Sequence, residues 1–418
     1  LRTVLGAVGM RFPSTPARAL TSLLFKRAHI RLRGLKFQER DQSQISAEML
    51  TRIDTCWSAA SGLSMVDTIR SADFQARHML LALEAGEPYR VARALAMEGG
   101  LLATAGVGAE KQALKLVGEA MTLARRINHP HAIGMAELVS GVAAYECGRW
   151  ADSVASMERA DRIFRDGCVG VAWETTTAVL FRTSAQFYLG DLAGLQQAAP
   201  AAIQEVEGRG DLYASTTLRI RPMNFAALAA DDVKLARWHA EEGMRLWTPE
   251  GYHAQHYYHM VALTNADLYV GDGRAAWERI TADWKALARS LFMRVQVVRI
   301  EAIAMRARAA LAAAAATKDP ALLGEATAAA VKLEKEGARW ATALARLLRA
   351  GVAAVGGDEA AMQAHLDAAA EMFAQENMQL YAAVARRRKN PEVADAWMAL
   401  QRIRNPDRQS AVLAPGVF

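Results

Sequence analysis

The chain is poor in the residues that staple, bend or anchor a protein. Its three cysteines, Cys56, Cys147 and Cys168, have none of the spacings that hold zinc. They read as small buried hydrophobes of a reducing compartment. Eleven prolines in 418 residues leave long stretches free to be helical. No apolar run reaches the roughly 18 residues that a membrane span needs, and Leu311 to Ala316 is too short and too weakly apolar to count. The expectation is a cytoplasmic protein. Leu rather than Met stands first, which fits a chain that begins inside a larger protein, so targeting is not read from its start.

Catalytic signatures are also missing. There is no kinase set of glycine-rich loop, His-Arg-Asp loop and Asp-Phe-Gly ligand. Asp73-Phe74-Gln75 echoes the last of these, with glutamine in place of glycine. The phosphate-binding loop ending in Gly-Lys-Ser/Thr is absent, and Gly106-Val107-Gly108 reads as a flexible loop between helices. The net charge of +6 gathers at Lys26, Arg27, Arg31, Arg33, Lys36 and Arg40, and again at Arg386, Arg387, Arg388 and Lys389. No aromatic residues interleave these arginines for base stacking, so solvated helix faces are favoured over a nucleic-acid surface.

What is present is a period. The turns Gly148-Arg149-Trp150, Gly190-Asp191-Leu192, Ala230-Asp231-Asp232, Gly271-Asp272-Gly273 and Gly356-Gly357-Asp358 recur at about 40–42 residues or close to twice that step, the signature of a stacked helical array. Met135, Leu138, Val139 and Val142 make one helix face. Gly148 ends that helix, and Trp150 begins a return carrying Val154, Met157, Ala160 and Phe164. Gly141 leaves room for the two to touch. Trp277, Ile280, Trp284 and Leu287 make another stripe. Leu344, Leu347, Leu348, Gly351 and Val355 make a third, answered by Met362, Leu366, Ala369 and Phe373.

The expected fold is therefore all-α. It is a right-handed α-solenoid of tetratricopeptide-like helical hairpins, each about 40–42 residues, longer than the 34-residue consensus of that class. Residues 1–50 read as an irregular junction in which Pro13 and Pro16 break the first helix and Gln38 to Ser46 is a polar connector. Residues 51–378 are the repeats, and 379–418 a C-terminal helix and tail. The unit from Ala302 to Glu336 is the least regular, because Lys318-Asp319-Pro320 replaces the glycine turn.

Two polar sets stand out as candidate partner-binding residues. Arg219, Arg221 and Asn224, beside a helix start at Pro222 with Asp211 and Tyr213 before it, could grip an acidic motif through bidentate arginines; the alternative is a salt-bridged loop. His253, His256 and His259, with Tyr252, Tyr257 and Tyr258, form the second. Their i, i+3, i+6 spacing puts the first two side by side on a helix. Zinc sites on helices prefer i and i+4, and Asp267 is two turns away. These residues read as lining an inner groove or packing between helices, with a ligand patch or a metal as alternatives. His129-Pro130-His131 reads as a turn. No catalytic residue, metal or cofactor is expected.

Several segments resemble a known family. They are Leu32-Arg33-Gly34-Leu35-Lys36-Phe37 with Glu39-Arg40-Asp41, Asp54-Thr55-Cys56-Trp57-Ser58 with Gly62 to Asp67, and Ala72 to His78 through Gly86-Glu87-Pro88-Tyr89-Arg90. Tyr269 with Gly271 to Gly273 and Ala276-Trp277, and Ala396-Trp397-Met398 through Ile403-Arg404-Asn405-Pro406 to Leu413-Ala414-Pro415-Gly416, complete the set. Together they resemble the C-terminal region of large bacterial serine/threonine protein kinases, in which a kinase domain and an ATPase module precede a tetratricopeptide-like tail. The resemblance implies signal transduction, with the tail binding a protein partner or restraining the upstream domains, and it places no catalytic residue here. The stretch from Arg388 to Asp395 departs from the family by being short. Alternatives are a free-standing adaptor, an enzyme built on the His253 cluster with a bound metal, or the tail of an ATPase transcription regulator. The last would carry a helix-turn-helix where this chain has one short helix before Ala414 to Phe418.

Overall fold

The residue that ends one helix also sets up the next. Asp191, Asp211, Asp232, Asp272 and Asp358 each follow a left-handed residue, and each carboxylate accepts the backbone N–H three positions on at 2.9–3.0 Å. A left-handed residue terminates a helix by turning its last carbonyls inward. An aspartate then satisfies an orphan N–H of the following one. The Gly-Asp pair is thus a complete helix–turn–helix instruction in two residues.

The computed structural model describes residues 2–64 and 66–418. Among them the ordered elements are helical and no β-strand occurs. Helices pack mainly against their sequence neighbours as adjacent pairs, consistent with a helical repeat array. Left-handed residues fall at Asn128, Gly148, Gly170, Gly190, Gly210, Asp231, Gly251 and Gly271, and again at Lys318, Gly337, Gly357 and Asn377. Their spacing is close to 20 residues, so two helices make the 40–42-residue period. The long helix Gln296–Thr317 interrupts the beat. There Lys318 adopts the left-handed turn, Asp319 caps and Pro320 opens the next helix, so the glycine-free turn does the same work.

The hairpin read from sequence forms as expected. Pro130–Glu146 runs into Trp150–Gly167, with Met135, Leu138, Val139, Met157, Ala160 and Phe164 buried. A Cβ on Gly141 would come within 2.8 Å of Met157 Cε, the close approach that its small size permits. The stripes on Gly273–Arg289, Arg339–Val355 and Glu359–Gln375 are likewise buried at Ile280, Leu287, Leu344, Leu347, Leu348, Met362, Leu366, Ala369 and Phe373.

Three local expectations are corrected. The stretch read as irregular contains an 18-residue helix, Pro16–Arg33, capped by Thr15. Pro16 opens this helix because its missing N–H is one that a first turn leaves unused. Gln38 to Ser46 is a connector, broken by the short 3-10 turn Gln42–Gln44. Residues 379–418 hold three short helices, Gln379–Arg387, Pro391–Leu400 and Pro406–Leu413. Gly106–Gly108 is a 3-10 turn held by Gln296, whose Oε1 accepts from Val107 N at 2.9 Å.

The chain divides into two compact units. The first comprises residues 1–105, 109–143 and 156–175, the second residues 106–108, 144–155 and 176–418. In the second unit one continuous core runs from Tyr145 and Trp150 to Val417. No helix among the described residues is long and apolar enough to cross a membrane.

Candidate partner-binding site

Arg219, Arg221 and Asn224 do not present one surface. Pro222 lies inside a helical segment, not at a start: Leu212–Leu218 widens into a π-type turn, Arg219–Met223, and resumes as Asn224–Ala229. The wider turn accommodates a residue with no N–H to donate. Arg219 and Arg221, two positions apart, do not share a helix face, and the three side chains reach different partners. Arg219 donates to the Glu207 carboxylate at 2.6 and 3.1 Å and lies over the Trp238 ring. Asn224 is buried and donates to Ala236 O at 3.0 Å.

Arg221 is buried and faces Glu301 at 3.4 Å through both terminal nitrogens. Tyr257, also buried, donates its O–H to the same carboxylate at 2.8 Å. Tyr258 stacks against the Arg221 guanidinium, 4.4 Å from ring centroid to carbon. Burial opposes the arginine's charge, but Glu301 and the surrounding tyrosine oxygens outweigh it, and its pKa lies well above normal. Burial pushes the Tyr257 hydroxyl up, and Glu301 pushes it further, so it stays protonated as a donor. Beside them a cavity of about 20 Å³ is lined by Tyr188, Phe225, Asn265, Arg308, Trp340 and Tyr381, among others. It has room for about one water.

The histidines behave differently from the helical reading. His253 precedes helix Ala254–Tyr269 and caps it. Its backbone N donates to His256 Nδ1 at 3.0 Å, while its own Nδ1 accepts from Trp247 Nε1 at 3.3 Å. His259 turns toward Glu241, 3.8 Å away. Burial lowers the pKa of His256, and neighbouring His253 and His259 lower it further. Burial also lowers that of His259, against the pull of Glu241. Carboxylates invisible from local spacing, Glu241 and Asp283, thus face this cluster. Among the described residues no group of three His, Cys, Asp or Glu is placed to hold a metal ion.

Two further features escaped the sequence. In the first unit, Asp54 receives Arg90 at 2.6 Å and Arg93 at 2.5 Å. Arg93 lies over the rings of Trp57 and Tyr89. The Tyr89 hydroxyl meets His131 Nδ1 at 3.2 Å, and His131 Nε2 meets Glu174 at 3.0 Å. His131 is therefore a helical residue in a polar network, whereas His129 stands in the turn before Pro130. Asp54 and Tyr89, far apart in sequence, thus belong to one network.

In the second unit, the C-terminal segment lies across successive turns. Gln401 Oε1 accepts from Ala193 N at 3.4 Å, and Arg404 N donates to Ala229 O at 2.8 Å. Arg408 pairs with Asp231 at 3.0 Å. Val412 O accepts from the buried Arg308 at 3.1 Å. The faces of this unit that the tail covers are thereby occupied by the chain itself.

No protein-family model matches the chain, and no curated protein matches it.

Proposed function

We propose that this chain is a non-catalytic interaction module, the tetratricopeptide-like sensory tail of a bacterial serine/threonine kinase–ATPase. It would bind a protein partner, or hold the upstream domains in one state, through side chains displayed on a right-handed solenoid. The observation that carries this reading is the packing of helices on their sequence neighbours, joined by left-handed turns about every 20 residues. An array of this kind exposes much side-chain surface for its mass, and small rotations between units add along it. The resemblance of the Asp54, Asp73, Tyr89, Tyr269 and Trp397 segments supplies the signalling context.

The distribution of polar groups refines where a partner would touch. Arg221, Asn224 and Tyr257 are committed to internal bonds. Arg219, His253, His256 and His259 are half-buried and stand as the contact candidates of that set. A partner could shift an equilibrium upstream only by preferring one state of the array.

The test is the reading frame upstream of Leu1, followed by one measurement. If it encodes kinase and ATPase domains, deleting residues 51–378 from the full protein changes its autophosphorylation or ATP hydrolysis rate. A frame without those domains, or a rate indifferent to the deletion, refutes the kinase-tail reading.

A further inference from the structure

Helix Pro16–Arg33 leaves an apolar face uncovered. Its inner side is polar as well as apolar. Ala19 is fully buried, Lys26 pairs with the buried Asp73 at 2.7 Å and Arg27 pairs with the buried Glu98. Its outer side carries the large hydrophobes. Leu20, Leu24, Phe25 and Leu32 are 39, 60, 74 and 88% exposed. Leu20, Leu24, Ala28 and Leu32 succeed one another at i+4, one ridge along the helix, with Phe25 beside it.

Inside the array a ridge of this type is covered. Leu344 and Leu348 on Arg339–Val355 are buried and answered by Met362 and Leu366 on the next helix. Pro16–Arg33 shows outward the kind of apolar ridge that Arg339–Val355 buries.

The charge carried by the first 38 residues is of one sign. Arg2, Arg11, Arg18, Lys26, Arg27, Arg31, Arg33 and Lys36 precede the first acidic residue of the sequence, Glu39. The chain as a whole carries only +6, so the remainder is slightly acidic. With Lys26 and Arg27 engaged inward, Arg18, Arg31, Arg33 and Lys36 are exposed. On the helical projection Arg18 borders the ridge on one side and Arg31 on the other.

We propose that this face docks an amphipathic acidic helix of a partner protein, which packs its apolar side on Leu20, Leu24, Phe25 and Leu32 and places carboxylates against Arg18 and Arg31. The docked helix extends the array by one layer. Helix-on-helix packing suits a convex i+4 ridge, which inserts into the groove of a facing helix. Carboxylates are the complement of Arg18 and Arg31, the exposed charges beside the ridge. The same helix of a second copy would set arginine against arginine and is disfavoured. The inference rests on the reading of the chain as a partner-binding module, but concerns a different surface from the His253 and Arg219 sets.

The experiment uses the whole chain and two designed helical peptides, one with leucines on one face and glutamates on the other, and one with lysines replacing the glutamates. Fluorescence anisotropy should show binding of the glutamate peptide and none of the lysine peptide. Leu24→Glu with Phe25→Glu should weaken binding by about tenfold or more while leaving circular dichroism and thermal midpoint unchanged, since both side chains are exposed. Arg18→Glu with Arg31→Glu should reverse the preference to the lysine peptide. Equal binding of both peptides, or binding indifferent to these variants, overturns the proposal. So does co-sedimentation with phosphatidylserine vesicles without peptide binding, which would make the face a lipid surface. Self-association abolished by Leu24→Glu with Phe25→Glu would make it a homodimer contact and overturn it equally. None of these outcomes depends on the upstream reading frame, so failure here leaves the kinase-tail reading to its own test.

Discussion

Arg221 and Glu301 form a buried ion pair between helices 80 positions apart in sequence, with Tyr257 completing the carboxylate's coordination. Removing one partner of a buried pair costs more than the pair contributes, because the other charge is stranded. Glu301→Ala should destabilise the second unit by about 3–5 kcal/mol. Tyr257→Phe, which deletes one hydrogen bond and keeps the ring, should cost about 1–2 kcal/mol. Urea denaturation followed by circular dichroism measures both. Equal effects of the two substitutions would mean that the arginine is not held by Glu301.

Glu146 offers a test in pH. It is buried at the end of Pro130–Glu146, one carboxylate oxygen has no hydrogen-bond partner, and burial pushes its pKa from 4.5 up to about 8. A carboxyl raised on folding binds its proton more tightly in the native state. Its favourable contribution is therefore present below about pH 4.5 and lost as pH rises through 8. Glu146→Gln should raise stability at pH 8–9 by about 1–3 kcal/mol and change little at pH 5. A uniform effect across that range would show that Glu146 is ionised in the native state.

His239 moves the balance from the acid side. Burial, then the nearby Arg219, lowers its pKa from 6.5 to about 4. The unfolded chain takes up this proton first, so stability falls as pH drops from 6.5 to 4. His239→Gln should flatten that limb of the thermal-midpoint profile. A profile unchanged by the substitution would show that His239 takes up its proton at the same pH folded and unfolded.

Two turn glycines separate strain from space. Gly148 and Gly271 are both left-handed, with φ of +78°. A Cβ on Gly271 would meet nothing within 4 Å, whereas on Gly148 it would fall 2.6 Å from Trp340 Cδ1. Gly271→Ala should cost about 1 kcal/mol, the penalty for a left-handed L-residue. Gly148→Ala should cost about 2–4 kcal/mol, adding overpacking to it. Equal losses would place Trp340 away from the turn.

The tail is testable by truncation. Val412, Leu413, Ala414 and Val417 are buried, and a buried aliphatic side chain contributes about 1.5–3 kcal/mol. Removing residues 404–418 should lower stability by roughly 5 kcal/mol and open the turn at Asp231 to limited proteolysis. An unchanged cleavage pattern would refute the clasp.

The periodic part of the fold was legible because one chemistry repeats: glycine for the left-handed turn, aspartate for the cap, and apolar residues at i, i+3, i+4. It was legible less well where another residue took the turn. Lys318 and Asn377 both adopt positive φ, and their types alone do not demand it. His253 looked helical by spacing because a cap and a first turn share the same interval. Pro222 looked like a helix start because proline favours one, yet a π-type turn absorbs it in mid-helix. Helix Pro16–Arg33 was missed because Pro13 and Pro16 read as breakers, whereas Pro16 stands in a first turn, which needs no N–H from it. The Asp54, Tyr89 and His131 network was invisible for a simpler reason: residues tens of positions apart meet only once the helices stack.

The clasp formed by Arg404, Arg408 and Val412 on Ala229, Asp231 and Arg308 changes how this unit gains its structure. In an open repeat array each hairpin answers only to its neighbours, and the chain can zip from any point and fray from either end. Here the middle of the unit waits for residues as many as 177 positions downstream before its bonding is complete. Such long sequence separations slow folding, and they tie melting of the middle to melting of the end. The second unit is therefore expected to be lost in one cooperative step, with no ladder of partly unravelled species along the way.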